Sequence, residues 1–89
     1  MNFRCTFYNA GRIFKADDWN AAAARIADSL ARKSGGRSAC AWTLRHENTS
    51  QNRRSREYSS TSGIPTKRPG ECRVVGDHRF TLDVVGGAQ

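Results

Sequence analysis

The chain has 89 residues, 37% of them hydrophobic, with 15 Lys and Arg against 8 Asp and Glu for a net charge of +7. That is chain enough for a single domain, 1–89, over a thin two-layer core, and it excludes two cores. No apolar run approaches the roughly 18 residues of a membrane span, and Arg4 breaks the apolar stretch that a signal peptide needs, so no membrane role and a cytoplasmic location are expected.

Residues 2–8 alternate, with Phe3, Cys5 and Phe7 on one side and Arg4, Thr6 and Tyr8 on the other, as a half-buried strand does. Asn9-Ala10-Gly11 has turn chemistry, and residues 12–16 can return as a short second strand. The stretch from Asp17 to Gly36 is the one convincing helix. Trp19, Ala22, Ala23, Ile26, Ala27 and Leu30 form its apolar stripe, and Asp28 and Arg32 face outward at i,i+4. Asp17 is the expected N-cap, and Gly35 the left-handed residue that ends the helix.

Beyond the Ser34-Gly35-Gly36 connector, residues 39–47 alternate as a central strand, with Cys40, Trp42 and Leu44 inward. Residues 48–70 change character. A polar cluster, 48–52, is followed by Arg53 to Ser60, which suits a second strand arm, and then by an aperiodic stretch from Ser62 to Gly70. The segment therefore reads as a basic loop or an extended hairpin. Residues 71–75 and 78–85 flank Gly76-Asp77 as a tight hairpin, with Cys72, Val74, Phe80, Leu82 and Val84 inward.

These elements assemble as α+β: a single amphipathic helix packed on one face of an antiparallel sheet of four to five strands, ββαβ(β)ββ. The expected core sets Trp19, Ile26 and Leu30 against Phe3, Phe7, Trp42, Leu44, Phe80 and Leu82. The open face would show Arg4, Thr6, Tyr8, Thr43, Arg45, Arg73, Arg79 and Thr81, mostly polar and basic.

Cys5, Cys40 and Cys72 are odd in number and widely spaced, so free buried thiols are expected rather than a disulfide. With His46 and His78 they make no metal-ligand spacing, and no metal or cofactor is expected. No nucleophile pairs with a histidine by spacing, and no glycine-rich phosphate loop is present, so an enzyme is not expected. A small nuclease using His46 or His78 is the third-ranked alternative.

Binding is better supported. Arginine supplies twelve of the 15 basic residues, and its planar fork matches phosphate and carboxylate. A high-GC genome explains the same bias without function. The candidate binding residues are Arg45, Arg53, Arg54, Arg56, Tyr58, Lys67, Arg68, Arg73 and Arg79. Basic side chains on a loop beside a sheet, with an aromatic among them, suit nucleic-acid backbone or an acidic protein groove. The competing reading is a solvated charged loop that binds nothing.

In size, in its single Ala-rich helix and in its strand-strand-helix-strands layout, over residues 2–47 and 71–85, the chain resembles small phage and mobile-element proteins that include many anti-CRISPR inhibitors. The resemblance implies a non-enzymatic inhibitor that covers a surface of a larger nucleoprotein complex of the host. Members compared with it are mostly acidic, and at +7 this chain departs from them; no functional residue carries over. The expected function is thus a binding protein that blocks or remodels a host nucleoprotein complex through a basic surface. The alternative is a small basic DNA- or RNA-binding accessory protein, and the oligomeric state is left open.

Overall fold

A computed structural model describes residues 1–33, 40 and 43–86. Its strands are β1 (Asn2–Arg4), β2 (Phe14–Lys15), β3 (Thr43–Thr49), β4 (Ser55–Pro65) and β5 (Cys72–Val84), and its helix is α1 (Trp19–Lys33). The strands form one five-stranded antiparallel sheet in the order β2-β1-β5-β4-β3, with α1 packed on one face. The fold is α+β, in the sequence ββαβββ. Among the described residues no helix is long and apolar enough to cross a membrane.

The helix begins one residue later than Asp17 requires of a cap. Asp18 is the N-cap: its Oδ1 accepts the Ala21 N–H at 2.8 Å, the reach a carboxylate has to the third helical residue. Ala22, Ala23, Ile26, Ala27 and Ala31 are buried, and the small alanines let the helix lie close on the sheet. Trp19 and Leu30 are half-buried at the margin of the core. The Asp28–Arg32 pair forms at 2.9 Å. The whole Ser34-Gly35-Gly36 connector and Trp42 lie outside the described residues.

The first strand is shorter than its alternation. After Cys5 the chain curls, with Tyr8 N–H donating to Cys5 O and Gly11 N–H to Tyr8 O. Asn9, Ala10 and Gly11 all take positive φ, at 53°, 57° and 76°. The curl swings Phe7 out to 67% exposure and turns Tyr8 inward against the Phe14 ring at 4.9 Å. Neither side chain is where period-two counting puts it.

The larger departures come from β4 and β5. Pairing from Ser55↔Asp83 to Pro65↔Cys72 makes one long ladder, so Gly76 and Asp77 are not a turn; they face Ser62 and Thr61. The reversal is at residues 66–71 instead, closed by Thr66 N–H to Glu71 O at 3.0 Å, with Gly70 at φ 78°. Ser62 to Pro65, aperiodic in sequence, are strand. A bulge between Ser62 and Gly63 shifts the register, and below it the alternation inverts. Cys72 and Val74, expected inward, are therefore exposed. At Gly63 a Cβ would stand 3.3 Å from Arg73 O and 3.4 Å from Cys40 Cβ, so glycine permits this close approach.

Cys40 and Cys72 form a disulfide with Cα atoms 5.9 Å apart, which overturns the expectation of three free thiols. The inverted register carries Cys72 to the side on which Cys40 lies, and spacing along the chain does not encode that. Cys5 alone is free and buried. The core joins Phe3, Cys5, Phe14, Tyr58, Phe80 and Leu82 to Ala22, Ala23 and Ile26, with Leu44 half-buried at its edge.

Candidate functional site

The strand ladder separates the nine candidate residues into four places. Tyr58 leaves the set altogether. It lies in register with His46 and Phe80 on the helix-facing side, is 1% exposed, and stacks on Phe80 at 5.5 Å. An aromatic among arginines looks like a base-stacking platform in sequence, but strand parity makes this one core. Its hydroxyl and those of Ser60 and Ser62 are buried without a hydrogen-bond partner among the described residues.

Arg45 and Arg79 lie on the open face, both in register with Ser59. Each has a carboxylate beside it: Arg45 Nε is 3.5 Å from Glu47 Oε1, and Arg79 Nη1 is 3.6 Å from Glu57 Oε1. Ser59 Oγ also donates to Glu47 at 3.0 Å. Along the same face Asp77 pairs with Thr61, and Asp83 lies opposite both Arg4 and Ser55, whose hydroxyl donates to it. Arginines and carboxylates thus interleave on the face expected to be mostly polar and basic, which is polar but carries both signs of charge. Arg4 meets Asp83 directly across the strands, Arg79 meets Glu57 on the diagonal, and Arg45 meets Glu47 two residues along its own strand.

The remaining basic residues sit at the two ends of the β4–β5 ladder. At one end, the turn between β3 and β4 holds Arg53 and Arg54. Asn52 Oδ1 accepts from Ser50 Oγ at 2.7 Å and from Arg54 N–H at 3.0 Å, and Arg53 sits at φ 59°. Both arginines are exposed. Arg56, two residues into the strand, is half-buried with its guanidinium 4.6 Å from the Trp19 ring centre. Arg53 and Arg56 line a shallow depression with Thr49, Ser50 and Gln51 that contains no carboxylate. The Arg56–Trp19 contact joins residues distant in the chain, and no local pattern announces it.

At the other end, Lys67 and Arg68 lie in the reversal, and Arg73 faces Ile64 across the ladder. Lys67 and Arg73 line a second depression with Ile64, Pro65 and Thr66. Glu71 is the one acidic residue in this reversal. Among the described residues, none of the six cations at the two ends enters an ion pair. The ends are separated by the length of β4, about 33 Å for its ten residue steps, in a molecule whose longest extent is 52 Å.

His46, the candidate general base, bonds through Nε2 to Thr49 Oγ1 at 2.8 Å and to Asn48 O at 3.0 Å, contacts that hold the β3 bulge. His78 faces Ser60 one row away. Among the described residues no three His, Cys, Asp or Glu side chains cluster as metal ligands. Comparison with models of known families, with curated proteins and with solved structures finds no match.

Proposed function

We propose that this chain is a non-enzymatic binding module that attaches to nucleic acid, free or displayed by a host nucleoprotein complex, which it thereby blocks or remodels. One observation carries the reading: two groups of three cations, Arg53, Arg54 and Arg56 at one end of the ladder and Lys67, Arg68 and Arg73 at the other, enter no ion pair among the described residues, while Arg45 and Arg79 between them are matched by Glu47 and Glu57. A charged surface that served solubility alone needs no such sorting. The inhibitor role of the mobile-element kind adds to this only the resemblance in size and layout.

Titration of a labelled nucleic acid at increasing salt tests it. A module neutralising about six phosphates loses about a thousandfold in affinity between roughly 50 and 200 mM salt. Arg53→Ala with Arg54→Ala is expected to weaken binding at least about tenfold and leave the melting temperature unchanged, since exposed charges contribute about 0–1 kcal/mol to folding. Arg56→Ala behaves differently, because it also removes the stack on Trp19, and is expected to lower both. Salt-insensitive binding of a host protein that survives nuclease treatment would redirect the same cations to an acidic protein groove.

A further inference from the structure

We propose that the partner is a B-form duplex lying along the molecule's long axis, gripped by the two basic ends at phosphates about one helical turn apart. This rests on the reading of the chain as a nucleic-acid binder and adds the form of the nucleic acid and the mode of contact.

The cluster of Arg53, Arg54 and Arg56 and the cluster of Lys67, Arg68 and Arg73 stand at opposite ends of β4. Ten residue steps of antiparallel strand span about 33 Å, and one turn of B-DNA spans about 34–36 Å. The distance is not adjustable: β4 is laddered to β5 over its whole length, and the Cys40–Cys72 disulfide ties the distal end to the segment that precedes β3. Two ends one turn apart meet the same side of a duplex, where the same groove recurs. The middle need not touch it. There the open face carries Glu47, Glu57 and Asp77 beside Arg45 and Arg79, so it offers no continuous basic track. A flexible single strand is best held by such a continuous track with exposed aromatics to stack its bases. Here Tyr58 is buried, the exposed Phe7 stands beside Glu57 and Arg79 rather than with either end cluster, and the unpaired cations of the two ends are discontinuous. The distal end is itself a two-stranded ribbon, an element that the major groove of B-DNA, about 12 Å wide, admits.

Two-point attachment has a measurable signature, because the second contact is intramolecular once the first has formed. Labelled random-sequence DNA duplexes of about 6, 10, 14 and 20 base pairs, titrated at about 50 mM salt, are expected to show a step of at least about tenfold between 6 and 14 base pairs, then only slow growth. Lys67→Ala with Arg68→Ala, and separately Arg53→Ala with Arg54→Ala, should each abolish the step while weak binding to the shortest duplex persists; unchanged melting temperatures show that both variants are folded. Affinity that rises smoothly with length, a step that survives either double variant, or a single strand of about 20 nucleotides bound as tightly as the duplex overturns the two-point duplex mode. In those cases the chain is still a nucleic-acid binder. Failure to bind any nucleic acid at low salt removes that broader reading as well.

Discussion

Cys5 shows how burial sets chemistry at a single side chain. It is 1% exposed in the core. Burial pushes its thiol above the ordinary value of 9.0, and the Phe7 and Tyr8 backbone amides offset part of that, while the Asp83 carboxylate adds a small push in the same direction. A raised value in the folded state means that folding favours the protonated thiol. Its contribution is fully present below the unfolded thiol's value and is lost as pH rises through the folded one. The wild-type melting temperature is therefore expected to fall more steeply than that of Cys5→Ala between about pH 8 and pH 10. Parallel curves in a thermal melt series would show that the thiol ionises equally in the folded and unfolded states. Arg56 makes the opposite point about exposure. It belongs to a basic cluster by sequence, yet its contact with Trp19 gives it a folding role that Arg53 and Arg54 lack.

At the level of the element, α1 is held by its apolar face more than by its charges. The Asp28–Arg32 pair is solvent-facing, with side chains 44% and 79% exposed, so its worth is at the low end for ion pairs. Ile26 is 1% exposed, whereas Leu30 is half-buried. Truncation at Ile26 is therefore the sharper test of helix-on-sheet packing. Ile26→Ala is expected to cost about 2–5 kcal/mol in urea unfolding, and Leu30→Ala less. Asp18→Ala is expected to cost about 1 kcal/mol through loss of the cap, while Asp17→Ala has no cap bond to lose. Equal effects of the two aspartates would mean that only the helix dipole, and not the Asp18 hydrogen bond, senses them.

For the whole molecule the decisive covalent feature is the Cys40–Cys72 disulfide, which closes a loop with a sequence separation of 32. A loop of that length contributes about 3–4 kcal/mol by restricting the unfolded chain, a large share of a small domain's stability. Reductant is expected to lower the melting temperature by more than about 10 °C. The denatured, unreduced chain should titrate as one thiol and the reduced chain as three, as the assignment of Cys5 alone as free requires. Three thiols without reductant would return the chain to the all-reduced state that cysteine spacing suggests. The disulfide also bears on binding: it ties down the end of the ladder that carries Lys67, Arg68 and Arg73.

Local chemistry determined the class of fold and the identity of its helix. The stripe through Ala22, Ile26 and Ala27 and the alternation at Phe3, Phe80 and Leu82 are periodic within one element, so they are readable without knowing any partner. The same holds for the excess of basic over acidic residues. What alternation does not contain is the place where it breaks. The bulge opposite Gly63 inverted the faces of Cys72 and Val74 and brought Cys72 to Cys40, and the ladder that runs through Gly76 and Asp77 replaced the turn expected there. Each of these outcomes depends on a register between strands distant in sequence. The site followed the same division: residue type marked Arg53 and Lys67 as cations, but only the ladder put them at opposite ends, buried Tyr58, and set carboxylates beside Arg45 and Arg79. Register is a property of pairs of strands, and a pattern read along one strand carries no record of it.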